Sequence, residues 1–299
     1  MSAIHPALRG ILLILCAVFL FGAMDATAKS LATKYPVPML VWARYSVHCL
    51  LMFVFLLPTH GKRLWHTRRP MLQIVRALLL LAITGLTITA FRVLPLTVAT
   101  AIAFLAPLLV GILSGPILGE KTGRTETIAL IVGLVGVLLI ARPGGDTPLG
   151  GVMLALLGAL CYTAYQLLTR LLAPHESAVT MLFFTALMGM LVTTATLPWT
   201  WQALSPGPFD AALIVLLGIL GGSGHYLLIL AFRHAPATTL APFLYVQMVW
   251  EGLFDFLVFQ HVPDAPTWAG IGLIALAGLG VALKTKFSPA SRLAVDRAN

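Results

Sequence analysis

Apolar runs of about 20 residues follow one another along the chain, each closed by a short cluster of proline, glycine or charge. A helix needs roughly 20 apolar residues to cross the hydrocarbon core of a bilayer, so each run predicts one span. The spans fall at residues 9–29, 36–58, 70–92, 94–116, 125–142, 148–171, 177–198, 209–232, 237–258 and 266–284. Between them stand Pro36-Val37-Pro38, Leu94-Pro95, Pro143-Gly144-Gly145, Pro206-Gly207-Pro208 and Pro263, the punctuation expected of turns. The connections are too short to hold a soluble domain. Pro107 and Pro242 fall inside the fourth and ninth spans. There they should kink the helix and free backbone carbonyls on a cavity wall.

Composition supports this pattern. Of 299 residues, 59% are hydrophobic and 10% charged, against about 25% charged in soluble domains. The net charge of +9 does not point to nucleic acid, because the basic residues lie between apolar runs. With the N-terminus inside, thirteen Lys and Arg fall on one side, among them Arg9, Arg68, Arg124, Arg170 and Arg233. Only Lys29, Lys34, Arg92 and Arg142 fall on the other. Positive charge marks the cytoplasmic side, which places both termini in the cytoplasm of a multi-pass protein of the cell (inner) membrane. Cys16, Cys49 and Cys161 lie in apolar stretches with no CxxC pair and read as small core residues. Arg9, the apolar residues 11–21 and Ala26-Thr27-Ala28 imitate a cleavable leader.

Against that leader stands an internal repeat. Phe91-Arg92-Val93-Leu94-Pro95 recurs as Phe232-Arg233-His234-Ala235-Pro236, an offset of 232 − 91 = 141 residues. The same offset pairs Gly10 with Gly151, Leu13 with Leu154, Ala23 with Ala164 and Lys29 with Arg170. Gly136-Val137 matches Gly280-Val281 after a three-residue insertion near Val262-Pro263-Asp264. Each unit therefore holds five helices, and an odd number of crossings inserts the second unit upside down. The fold expected is an all-α polytopic membrane protein of ten transmembrane helices in two inverted five-helix repeats. These occupy residues 1–145 and 146–288, with a cytoplasmic tail at 289–299. Inverted repeats are the architecture of secondary transporters, whose substrate site lies near the midplane between the halves.

Particular residues now resemble a family. The run Leu94-Pro95-Leu96-Thr97-Val98-Ala99-Thr100-Ala101-Ile102, then Pro107, Leu118-Gly119-Glu120-Lys121 and residues 133–143, is similar to the EamA repeat of the drug/metabolite transporter superfamily. The second repeat carries Ala235-Pro236-Ala237, Ala241-Pro242-Phe243, Tyr245 and residues 278–281. Two positions depart from the pattern: the counterpart of Glu120 is His261, and Phe21-Gly22 stands where Trp-Gly is frequent. Within the superfamily the chain looks most like exporters of amino acids and related metabolites, including YddG-like proteins. The resemblance implies alternating access and export.

Charged side chains at membrane depth are costly and usually face a cavity or another helix. Asp25 and Lys29, four apart, can form a local ion pair or couple to protons. Gln247, Glu251 and Asp255 recur every four residues as one polar stripe, and Asp255 lies near the helix end, where water can solvate it. Glu251 can exchange protons or bind a substrate amine. Arg44 can hold a substrate carboxylate through paired hydrogen bonds or tie Asp25 or Glu251 structurally. Arg76 and His225 fall in the inner half, with Arg76 able to snorkel to the interface. Tyr162, Tyr245 and Trp250 offer aromatic walls. Gly218 and Gly222 have the spacing of a close helix contact.

Other functions lack their residues. No ATP-binding loop or HExxH zinc motif occurs, so neither an ATPase subunit nor a metal or other cofactor is called for. Gly221-Gly222-Ser223-Gly224 resembles the rhomboid protease GxSG, but His225 follows on the same helix and points elsewhere, which leaves His48 as the other mid-membrane histidine to activate Ser223. A passive channel would show rings of like charge or a carbonyl filter, and neither is evident. No catalytic residue is assigned. The function expected is a secondary carrier of small metabolites, foremost an amino-acid exporter. Nucleobases, vitamins and sugar derivatives are the alternative cargo, and the oligomeric state is left open.

Overall fold

The computed structural model describes residues 6–94, 96–120, 123–141, 148–200 and 205–260, then 265–266, 268–270, 272–273, 276–277 and 280. The tenth expected span, 266–284, lies mainly outside the described residues. Regular structure among the described residues is helical throughout. The helices are α1 (Pro6–Ala32), α2 (Val37–Leu51), α3 (Pro70–Val93), α4 (Leu96–Ala103) and α5 (Leu105–Leu118). There follow α6 (Arg124–Ala141), α7 (Leu149–Leu172), α8 (Ala178–Thr200), α9 (Pro208–His234), α10 (Ala237–Leu244) and α11 (Val246–Phe259). A π-helical turn, Met52–Leu56, extends α2.

Proline opens α2, α3 and α9, where the first backbone N–H groups need no helical acceptor. Within the apolar helices, the buried Thr84, Thr163, Thr169 and Thr185 return their hydroxyls to the carbonyl four residues back, which gives each hydroxyl hydrogen an acceptor on its own helix. Seven of the described helical spans are long and apolar enough to cross a membrane, and Leu105–Leu118 is a shorter apolar helix. The outer surface fits that setting: Leu50, Phe55, Ile112 and Ile128 are each at least 60% exposed. Such an apolar belt would not stay dissolved in water.

Two antiparallel helix pairs form the centre, α1 with α9 and α3 with α7. A Cβ built on Gly10 would stand 2.8 Å from the Ala235 Cβ, and one on Gly151 would stand 2.7 Å from Leu94 Cγ. Adding 141 to 10 gives 151, and subtracting 141 from 235 gives 94, so each contact is the repeat image of the other. The far ends agree. Lys34 Nζ and the Tyr35 hydroxyl bond Asp210 at 3.0 and 2.9 Å. On the opposite face, Thr67 Oγ1 and the Arg68 N–H both donate to Glu176 Oε1 at 3.0 Å. The bond to Asp210 also holds the Tyr35 hydroxyl pKa above its ordinary value. The ends of α1 and α3 and the starts of α2, α7 and α9 thus define a Tyr35 face. The ends of α7 and α9 and the start of α3 define an Arg170 face.

The fourth and ninth expected spans are each broken in two. The breaks fall at Phe104 and Tyr245, again 141 apart. Pro107 has no N–H for the Ala103 carbonyl, which accounts for the first break. Pro242 lies three residues before the second break instead of after it. The two break residues meet, with ring centroids 5.8 Å apart.

Candidate functional site

Both repeats contribute to one central cavity. Phe21 and Asp25 reach it from α1, Arg44 from α2, Thr84 and Thr87 from α3, and Thr100 from α4. Tyr162 of α7, His225 of α9, and Gln247 and Glu251 of α11 complete the polar part of the wall, with Phe91 and Phe104 among its further aromatic residues. About 110 Å³ of it is open to the centre of a water molecule.

On one side of the cavity stands a carboxyl pair. Gln247 Nε2 donates to Asp25 Oδ2 at 3.0 Å and to Glu251 Oε1 at 2.8 Å, and an amide nitrogen has two hydrogens, one for each. The bridge ties α1 to α11 and holds two acids together in a wall where Glu251 is only 5% exposed.

Arg44 supplies the opposite charge. Its Nη1 donates to Thr84 Oγ1 at 3.0 Å, and its Nη2 lies 3.4 Å from His225 Nε2. Guanidinium can only donate, so Nε2 accepts and the imidazole carries its hydrogen on Nδ1, 3.1 Å from the Tyr165 hydroxyl. The glycines of α9 make the room. A Cβ on Gly221 would stand 2.7 Å from Arg44 Nε, one on Gly222 2.9 Å from His48, and one on Gly218 2.6 Å from Val47. Gly218 and Gly222, which the sequence assigned to helix contact, pack on α2 at Val47 and His48, and Gly221 beside them seats the arginine.

Arg76 does not line the cavity and does not snorkel. It is fully buried. Nη1 donates to the Tyr165 hydroxyl at 3.2 Å and Nη2 to Thr185 Oγ1 at 2.7 Å, with a further bond to the Met181 carbonyl. This knits α3, α7 and α8 together.

Of the residues singled out in the sequence, the structure gathers Asp25, Arg44, Tyr162, His225, Gln247 and Glu251 around the cavity. Tyr245 is buried against Gly133 and against Phe104, behind the lining instead of in it. Trp250 packs edge-on to Phe19, centroids 5.0 Å apart. The Lys29 ammonium lies 4.0 Å above the Phe259 ring. Pro107 is buried in the helix packing, and Pro242 lies within α10. The side chain of Asp255 lies outside the described ones. Thr84, Thr87 and Thr100 were not singled out, since a threonine in an apolar run has no periodic signature. One signal did exist for Thr84: the 141-residue offset pairs it with His225.

A bundle of apolar helices around a charged central cavity defines a class, the membrane carriers built of two repeats. The model of the EamA-like transporter family matches residues 8–142 and 149–283, and the chain belongs to that family. It is a multi-pass membrane transporter and not an enzyme. An S-adenosylmethionine uptake transporter of Rickettsia felis is 28% identical over 289 residues, covering 95% of this chain and 96% of that protein. The pseudopaline exporter CntI of Pseudomonas aeruginosa is 27% identical over 278 residues, covering 93% and 97%. A solved crystal structure, 18% identical, superimposes with a TM-score of 0.78 over 92% of this chain and 96% of the other, which speaks for the fold alone.

Proposed function

We propose that this transporter carries amino acids, or metabolites built on an amino acid, across the cell (inner) membrane by alternating access. The observation that carries the proposal is the juxtaposition in one cavity of Arg44 with the Asp25–Gln247–Glu251 cluster. A guanidinium takes a carboxylate through two parallel bonds. A substrate ammonium entering between Asp25 and Glu251 meets two carboxyl groups already held in place. Phe21 and Tyr162 give the flat apolar wall that a hydrophobic side chain needs. The basic residues of the Arg170 face support a cytoplasmic position for that face and for both termini, and the direction proposed is export.

One observation favours a narrower cargo. Two carboxyl groups face one arginine, a balance suited to an amino-acid derivative with a second positive charge. The Rickettsia relative is named for uptake of S-adenosylmethionine, which carries a sulfonium and an ammonium against a single carboxylate. The Pseudomonas relative is named for export, so direction varies among the relatives' names.

Counterflow in proteoliposomes tests both readings. Vesicles preloaded with unlabelled amino acids and S-adenosylmethionine are offered labelled phenylalanine, methionine, threonine or S-adenosylmethionine. Protein-dependent accumulation of an amino acid supports the broad reading, and preference for the sulfonium compound supports the narrow one. Folded protein that accumulates none of the four sinks both.

A further inference from the structure

The cavity occupies only part of the molecule's depth. Two of its lining pairs, Phe21 with Tyr162 and Thr84 with His225, are repeat images of each other, so the axis relating the repeats passes through them. The rest of the polar lining lies from there toward the Tyr35 face. Asp25, Thr87 and Gln247 are half-buried. Their images 141 positions away, Gln166, Leu228 and Ala106, are each at 0% exposure. The image of the cavity, toward the Arg170 face, is thus packed shut. Gln166, the image of Asp25, sits in this shut half with neither its amide oxygen nor its nitrogen hydrogen-bonded among the described residues. A buried amide without partners is costly, so a conformation that wets it is favoured by that amount.

The shut half is tied at its face. Arg170 Nε donates to Glu120 Oε1 at 2.7 Å, and Arg170 Nη1 donates to the Phe232 carbonyl. The Ala237 N–H donates to the same Glu120 oxygen at 3.3 Å. One knot therefore joins the end of α5, the end of α7 and the turn between α9 and α10. Gly119, in the left-handed region at φ 69°, turns the chain out of α5 and delivers Glu120 to it. The repeat image of Arg170 is Lys29, which lies over the Phe259 ring, and Phe91, the image of Phe232, lines the open cavity. The image of Glu120 is His261, which lies outside the described residues.

We infer that the Glu120–Arg170 ion pair is the latch on a second pathway, lined by Gln166 and Thr169, that opens to the Arg170 face as the present cavity closes. Glu120 and Arg170 act as positioning residues: they touch no substrate and set which face the site meets. Inverted repeats supply the means, because exchanging the conformations of the two halves converts one state into the other.

The test needs no substrate. Chains with Cys16→Ser, Cys49→Ala and Cys161→Ser carry one reporter, either Gln166→Cys or Thr87→Cys. Each is treated with a membrane-impermeant methanethiosulfonate in vesicles of both orientations. With the latch intact, Thr87→Cys reacts and Gln166→Cys is slow from either side. Glu120→Gln should raise the Gln166→Cys rate from the Arg170 face about tenfold and lower the Thr87→Cys rate in parallel. The charge exchange Glu120→Arg with Arg170→Glu should move both rates back. A loosened bundle would expose both reporters together, so rates that rise together, or do not move, overturn the inference. Should Glu120→Gln fail to fold, Arg170→Lys keeps the charge and loses the second donor. It should shift both rates in the same opposed directions, and the same two outcomes overturn the inference.

Discussion

Arg44 is held by two neutral acceptors, Thr84 and His225, with no carboxylate bonded to it among the described residues, and that leaves its charge for a ligand. A lysine has no planar fork to span the two acceptors. Arg44→Lys should therefore raise the KM of a carboxylate-bearing substrate as Arg44→Ala does, and a lysine variant with wild-type KM would refute the fork. Gly221→Ala tests the same point from the other side. Its methyl would stand 2.7 Å from Arg44 Nε, displacing the guanidinium while α9 remains helical. Loss of a hydrogen bond to a charged group is worth about 1.5–3 kcal/mol, so KM should rise by about tenfold or more. Wild-type KM in Gly221→Ala would show that the arginine does not need its seat. At this scale the sequence exposed the charged residues well, because ionisable groups are rare in apolar runs. It was poorer for the aromatics: Tyr245 and Trp250 look the same in sequence whether they line a cavity or fill a helix contact.

Between helices, the register of α1 on α9 and of α7 on α3 is set by close approach at Gly10 and Gly151. Gly10→Val and Gly151→Val should each destabilise by about 1–3 kcal/mol, the cost of overpacking, read as a lower midpoint of thermal unfolding in detergent. Similar losses in the pair are expected because the contacts are repeat images. A loss in only one would deny the shared register. Pro107→Ala should restore a donor to the Ala103 carbonyl and let α4 run into α5, raising thermal stability by about 1 kcal/mol while slowing counterflow. Unchanged counterflow would show that the break at Phe104 serves packing alone. The spans and the offset were legible because apolar length and a fixed register survive in sequence. The break at Tyr245 was less so, since Pro242 lies on the other side of it from where Pro107 lies in the first repeat.

Over the whole molecule, a repeated sequence folds into halves that are not in the same state. The half toward the Tyr35 face holds the cavity, and its image is closed beneath the Glu120–Arg170 pair. This asymmetry is what the proposed alternating access expects of a carrier on one side of its cycle. The most direct test of a carrier with a charged central site is counterflow in proteoliposomes preloaded with unlabelled S-adenosylmethionine and phenylalanine. Wild-type protein should drive labelled substrate transiently above its equilibrium level, and Arg44→Ala and Glu251→Gln should lose that overshoot while remaining folded. Equilibration without overshoot, as through a pore, or overshoot undiminished in both variants, would contradict the assignment.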